Sequence, residues 1–476
     1  MPNQKYLISG RLYAFLIAFV SAVGGFLFGY DLAIIGTANV YLRDQFHLSN
    51  EMFGFTTASA TLGCIIGPFF GGWFCDRFGR RNTLIGACVL LAVGSLFTAI
   101  PNDMFTFNLF RIVGGIGVGF CSIASPMYTN EIAPARWRGG LGFMYQLAIV
   151  VGSVIAALVG LILAQGAAPE TSEFGRQVAQ WVHGDAWLNV ETAWRWMFAS
   201  ELVFVAIFGV LLFFLPESPR WLAERGRRKE AEAVFVRIDG PEFARTEMEQ
   251  IEQSLAAESG SLSELWTPGL RMALFVGLCL ALFNNYTGWS AMGGYLTKLF
   301  ETAGLPREEA LRNNLLSWAF MGVATLIACG LVDRMGRRPL WLMASVVMIG
   351  ANAFMGWIYY KNMTGPIVLV PVFLCAIPHS FALGPLPWLM MSEIFPTRIR
   401  ARAVAITTTF IWLVGFVAVG LFPVLEGIST RMIGSNAGVF WLSAIVCVLS
   451  FFFGLIMLPE TRGRTLEEIA ESWRKK

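Results

Sequence analysis

The sequence predicts an all-α, polytopic membrane protein, with twelve transmembrane helices in two six-helix bundles and a helical linker between them on the cytoplasmic side. Composition is the first reason. The chain is 56% hydrophobic and 14% charged, whereas soluble domains carry about 25% charged residues, so most of its surface must face something other than water. The second reason is a series of twelve apolar runs, each near the roughly 20 residues needed to cross about 30 Å of hydrocarbon. The third is internal repetition. Asp76-Arg77-Phe78-Gly79-Arg80-Arg81 returns as Asp333-Arg334-Met335-Gly336-Arg337-Arg338. The stretch from Glu131 to Arg138 returns from Glu393 to Arg400, and Pro216-Glu217-Ser218-Pro219-Arg220 returns as Pro459-Glu460-Thr461-Arg462. Motif pairs in one order at unequal offsets describe two halves of one ancestral unit with loop insertions, not a short-period solenoid.

Taken in order, the first run, 12–36, follows a short polar start with Lys5 and Arg11. It is too long for a signal-peptide core and reads as a retained membrane helix. Runs 52–75 and 83–100 flank the first hexad, whose carboxylate, glycine and three arginines cannot lie in hydrocarbon and so close a helix pair where cations collect. Runs 106–127, 141–165 and 194–215 complete the first half, and the loop before the last of these carries Glu170, Glu173, Asp185 and Glu191 and faces out. The polar stretch 216–270 has helical spacing, as in Arg227-Arg228-Lys229-Glu230-Ala231-Glu232, and joins the halves. Runs 271–298, 313–332, 339–360, 365–391, 402–425 and 437–458 repeat the plan, with the second hexad between the second and third of them. The organisation is thus an N-terminal bundle 1–215, a linker 216–270, a C-terminal bundle 271–458 and a tail 459–476. With both ends cytoplasmic, the even-numbered short loops gather the arginines, and the chain is expected as a multi-pass protein of the plasma (inner) membrane.

Glycine and proline mark where helices pack closely or break. In the tenth run, Pro378, Gly384, Pro385 and Pro387 leave carbonyls without donors, which is tolerable only where the backbone lines a cavity or has neighbouring donors. The eight cysteines lie in or beside apolar segments without a CxxC, so neither a disulfide framework nor a structural metal is expected. A net charge of +3, with the arginines dispersed among loops, does not suggest nucleic-acid binding. No nucleophile–base or metal constellation suggests an enzyme or a cofactor. The expected partners are the lipid bilayer and a small solute, with the chain working as a monomer.

The residues then carry a resemblance. Gly72 to Arg81 fits the pattern G-x-x-x-D-R-x-G-R-R, and Arg111 to Gly119, Ser125-Pro126-Met127-Tyr128, Pro216 to Trp221, Gly384-Pro385 with Trp388, and Pro459 to Gly463 complete a set that resembles the sugar porters of the major facilitator superfamily. The match covers nearly the whole chain, and among characterised members it is most similar to bacterial xylose/proton symporters. The resemblance implies the major facilitator fold, a central sugar site and alternating access by rocking of the two bundles.

It also implies site residues. Asp31 and Arg111 occupy positions that pair in proton-coupled members; an intramembrane carboxylate must be paired, protonated or facing water. Gln146, Asn284, Asn285, Thr287, Ser290 and Trp388 are the expected substrate-binding set. Helix seven here has Asn284, Asn285 and Ser290 where the family has a Gln pair and an Asn, while Met321 and Ile411 replace polar residues, so the site should suit a different hydroxyl pattern or a less polar substrate. His379 is a further intramembrane titratable group, read as a neutral imidazole bonded to a freed carbonyl near Pro378. Asp76, Arg77, Arg81, Glu131, Arg138 and Glu217, with Asp333, Arg334, Arg338, Glu393 and Arg400 in the second half, are expected to form cytoplasmic salt bridges that differ between outward and inward states. The function expected is proton-coupled symport of a monosaccharide or related polyol. An uncoupled facilitator, a symporter of a non-sugar polyol or hydroxylated acid, and a non-transporting nutrient sensor are the alternatives.

Overall fold

The computed structural model describes residues 4–134, 138–181, 187–257, 262–396 and 399–462, and among these no residue is in a strand. The first half consists of α1 (Gln4–Phe46), α2 (Asn50–Phe78), α3 (Arg80–Thr98), α4 (Met104–Ile132), α5 (Arg138–Ala167) and α6 (Ala193–Phe213). The second consists of α7 (Pro268–Tyr286), α8 (Arg307–Met335), α9 (Arg337–Tyr360), α10 (Pro366–Met391), α11 (Arg400–Ile433) and α12 (Ala437–Ile456). Every expected span holds helix. Among the described residues, 11 helices are long and apolar enough to cross a membrane. The span outside that set is α8, which starts on the polar Arg307-Glu308-Glu309 and has side chains at 329–333 that lie outside the described residues.

Two spans differ most from expectation. α1 runs 43 residues, well past position 36, because its buried positions continue through Ala38, Val40 and Leu42 with no proline to stop it. The seventh span is not continuous: it ends at Tyr286 and restarts as Trp289–Gly293 and Leu296–Thr302. Between the pieces Gly288 takes φ +121, a left-handed value that a side chain would strain.

Each hexad is a one-residue turn. Gly79 (φ 94) separates α2 from α3, and Gly336 (φ 90) separates α8 from α9. The linker contains helices Pro219–Glu224, Arg228–Asp239 and Pro241–Ala257. Its apolar stripe, Ala231, Phe235 and Ile238, is buried, and Arg237 lays its guanidinium 4.1 Å from the ring of Tyr13 at the base of α1.

The halves meet at the end opposite the hexads. Asn39 Nδ2 donates to the Gly294 carbonyl at 2.7 Å, and Asn314 Nδ2 to Thr37 Oγ1 at 3.3 Å. Arg307 reaches Asp44 at 2.8 Å, and Gln165 Nε2 donates to Glu308 at 3.0 Å. α2 and α11 approach so closely that a Cβ on Gly54 would lie 2.0 Å from the Gly420 carbonyl oxygen.

Candidate functional site

The first-half centre holds charge. Asp31 and Arg111 are 2% and 3% exposed. Arg111 Nη1 donates to Asp31 Oδ1 in a close ion pair, and Nη2 reaches the Asp31 carbonyl at 3.3 Å. The guanidinium lies 5.0 Å from the Phe198 ring of α6, which is a favourable face for a desolvated cation. Asp31 Oδ2 and Arg111 Nε are buried without a partner, so the pair does not saturate its own bonding.

A third ionisable group stands nearby. Glu201 of α6, one turn past Phe198, is 1% exposed. Ser95 Oγ donates to its Oε2 at 2.9 Å, while Oε1 has no partner. Tyr30, next to Asp31, shares a 2.7 Å hydrogen bond with Ser200, next to Glu201. Sequence reasoning missed Glu201, although its position in the sixth apolar run was the signal, since a carboxylate there cannot be an ordinary solvated charge.

The second-half centre is built on broken helices. α10 changes from α-helix to a π-turn over His379–Leu383 before restarting at Pro385. Pro387 has no N–H to offer the Leu383 carbonyl one turn earlier. Asn284 supplies the replacement, its Nδ2 donating to Leu383 O at 2.8 Å and to Gly384 O at 3.1 Å. The expected neighbouring donor is therefore an α7 side chain. The α7 break is repaired in the same way, by Asn352 of α9, whose Nδ2 donates to Thr287 O at 3.1 Å and to Met348 O at 2.9 Å. Asn352 carried no signal in the sequence beyond being polar in an apolar run.

These bonds define what the expected substrate residues can offer. The NH₂ of Asn284 is engaged with α10, and that of Asn285 donates to Ala281 O and Ile411 O, both at 3.1 Å, so each can give a ligand its carboxamide oxygen. The Thr287 and Ser290 hydroxyls donate to Phe283 O at 2.8 Å and Asn284 O at 2.9 Å. Gln146 and Trp388 are both half-buried. Trp388 packs edge-on to Trp412 with ring centroids 6.1 Å apart, and Trp412 packs on Phe28 of the first half at 5.2 Å. This aromatic step crosses between the halves beside the charged cluster's own helix. His379 departs from expectation: its Nδ1 is buried with no partner, and the Leu383 and Gly384 carbonyls are taken by Asn284 instead.

At the hexad end, both halves carry the same strap. Glu217 accepts from the backbone N–H of Arg80 (2.9 Å) and Arg81 (3.1 Å), and Glu460 from those of Arg337 (3.1 Å) and Arg338 (3.0 Å). A carboxylate on the free N–H groups of a helix start is favoured by the helix dipole. The Arg80 side chain reaches Glu131 at 2.8 Å, and Arg337 reaches Glu393 at 3.1 Å. Arg81 donates instead to the Leu212 and Phe213 carbonyls at the end of α6, and Arg338 to those of Gly454 and Leu455 at the end of α12. Sequence reasoning thus chose Arg81 and Arg338 but missed Arg80 and Arg337, the arginines that face the glutamates. The Asp76 carbonyl accepts from Trp221 and Arg225, those of Arg77 and Arg334 accept from Arg225 and Arg462, and Arg400 donates to Phe395 O. None of these bonds joins the first half to the second. The side chains of Arg138 and Asp333 lie outside the described residues.

The two carboxylates differ in surroundings. Burial, the largest influence on Glu217, pushes its carboxyl above the ordinary carboxylate value, with the Ser218, Arg81 and Arg80 N–H groups opposing. Burial also pushes Glu460 upward, but the N–H groups of Arg462, Arg337 and Arg338 prevail and hold it below.

Comparison with known proteins places this architecture. A family model described as "Sugar (and other) transporter" matches residues 17–473. The chain is 35% identical to the arabinose-proton symporter of Bacillus subtilis, over 100% of this chain and 98% of that one. It is 33% identical to the D-xylose-proton symporter of Escherichia coli, over 99% and 97%. A solved inward-open structure of the xylose transporter XylE from E. coli superposes with a TM-score of 0.80 at 30% identity, covering 97% of this chain and all of the other. The chain is therefore a member of the sugar (and other) transporter family, a multi-pass membrane transporter with the twelve-helix major facilitator fold.

Proposed function

We propose that the protein is a proton-coupled symporter of a neutral monosaccharide or related polyol, working by alternating access with its hexads on the cytoplasmic side. The buried Asp31–Arg111 pair with Glu201 beside it carries this reading. Two carboxylates and one guanidinium cannot all be charged away from water without leaving a buried negative charge that costs several kcal/mol. The cluster is neutral when one carboxyl holds a proton. Movement of Arg111 between Asp31 and Glu201 then decides which carboxyl releases it, because a guanidinium favours the charged form of whichever it faces. Arg111 itself stays charged.

The substrate side supports neutrality. The expected binding residues offer carboxamide, hydroxyl and indole groups, and no cation stands among Gln146, Asn284, Asn285, Thr287, Ser290 and Trp388 to hold a carboxylate. Directional amides and an aromatic face suit a polyol. The arabinose and xylose symporters it resembles point the same way. The two halves touch at the end away from the hexads, which is the closure an inward-facing state requires; the bundles 1–215 and 271–458 rock about the central site so that this contact parts as the hexad end closes, with the linker 216–270 docked on the first.

Proteoliposomes given an inward proton gradient test the reading. Accumulation of arabinose, xylose or another neutral sugar above its outside concentration, lost when the gradient is collapsed, is the expected result. Equilibration without accumulation would make the protein a facilitator, and uptake of none of the sugars or polyols would remove the sugar or polyol reading.

A further inference from the structure

The second half contains two unpaired ring nitrogens around one indole. Trp289, at the restart of α7, packs edge-on to Trp318 of α8 with centroids 5.8 Å apart, and tilted against His379 of the α10 π-turn at 6.3 Å. Trp318 Nε1 and His379 Nδ1 are both buried without a hydrogen-bond partner. A buried polar group left unsatisfied costs free energy comparable to a lost hydrogen bond, and two such groups on the same neighbour mark a place the fold has not completed.

Their position is specific. Trp318 and Met321 are one helical turn apart on α8 and therefore share a face. The π-turn is tied to that point, since Ser380 Oγ reaches the Met321 carbonyl at 3.4 Å. Met321 itself offers no hydrogen-bond donor and only a weak thioether acceptor, so the two unpartnered ring nitrogens are what this stretch presents to a polar ligand. Neutral imidazole can accept and indole N–H can only donate. With the imidazole proton on Nε2, Nδ1 accepts, and a hydroxyl, which both donates and accepts, answers the pair, whereas a carboxylate or a cation answers only one of them.

We propose that His379 and Trp318, backed by Trp289, form a polar subsite that binds one hydroxyl of the substrate and sets which ring position must carry it. This rests on the sugar or polyol reading above. The hydroxyl donates to the imidazole and accepts from the Trp318 N–H. Its partners become accessible when α8 and the π-turn shift relative to Trp289 during the transport cycle. The broken segments of α7 and α10 are where such a shift is cheapest, because their backbone bonds are already made by side chains.

The test pairs each protein group with each ligand hydroxyl. Equilibrium binding of D-xylose and of its mono-deoxy analogues is measured on the purified full chain, wild type, His379→Phe and Trp318→Phe. Wild type is expected to discriminate against one deoxy position by about tenfold, the worth of one net hydrogen bond. In His379→Phe and Trp318→Phe that discrimination should shrink at the same position and stay unchanged at the others. His379→Gln, which keeps a donor and an acceptor, should restore part of it. A merely structural role would weaken parent and analogues together, and equal losses at all positions would overturn the proposal. If His379→Phe does not fold, Trp318→Phe and His379→Gln decide between these outcomes. Binding of neither D-xylose nor any analogue by wild type would count against the sugar reading together with this subsite, whereas wild-type discrimination untouched by either variant sinks this subsite alone.

Discussion

The two halves repeat one helical plan yet hold different things at their centres. The first half buries Asp31 and Arg111 on continuous α1 and α4, with Glu201 just past the interruption of α6 at Ser200. The second buries asparagines: the amides of Asn284 and Asn352 hold together α10 and α7 where those helices are broken, and that of Asn285 ties α7 to α11. A charged cluster needs a rigid, dry surround to keep its proton affinity poised, while a wall that must follow a bound solute needs backbone that can move without losing hydrogen bonds. On the proposed function, the first half handles the proton and the second makes the moving contact with substrate.

The largest effect that could break this contrast comes from Arg111→Ala. It leaves two buried carboxyls without a cation, and removal of one partner of a buried pair costs about 3–5 kcal/mol. The expected outcome is a thermal melting temperature well below wild type, with most of the loss recovered in Arg111→Ala combined with Asp31→Asn. A double variant as unstable as the single one would show that Asp31 and Arg111 do not depend on each other.

Asn352→Ala should have a smaller effect, confined to the second half. The Thr287 carbonyl would keep only the Cys447 thiol at 3.4 Å, a weak donor, and a buried acceptor stripped of its partner costs about 1–3 kcal/mol. Hydrogen exchange should quicken around Thr287–Gly288 and leave α1 and α4 unchanged. Stability and exchange equal to wild type would mean that the α7 break does not rely on Asn352.

The smallest effect separates the two straps by pH. Glu217 is raised above its ordinary 4.5, so its contribution to stability is full below that value and fades as pH rises through the raised one. Glu460 is lowered below 4.5, so its contribution is present above the ordinary value and is lost as pH falls through the depressed one. Between neutral pH and about 4.5, protection of the first turn of α3 should therefore rise relative to that of α9, and below 4.5 protection of α9 should begin to fall. Parallel behaviour of both turns would show that their environments do not differ in this way.

Much of this was legible in the chain. Length and apolarity marked every span, and the repeated hexads showed the two halves, because hydrocarbon thickness and arginine placement are rules that act locally along sequence. Asp31 and Arg111 stood out because charge in an apolar run has few explanations. Pro387 foretold an orphaned carbonyl, yet its rescuer, Asn284, lies about a hundred residues away in sequence, and no spacing rule connects them. The α7 break at Gly288 was hidden because a single glycine in an apolar run reads equally well as a packing surface. Arg80 and Arg81 are adjacent, and which one turns inward depends on helix phase after a left-handed glycine, which the sequence does not announce.

The central claim is that Asp31 belongs to the proton and not to the sugar. Asp31→Asn keeps the size of the side chain and removes its charge, imitating the protonated state. In proteoliposomes this variant should still exchange labelled for unlabelled sugar across the membrane, but should no longer concentrate sugar under an imposed proton gradient. Accumulation by Asp31→Asn at the wild-type level would contradict the account.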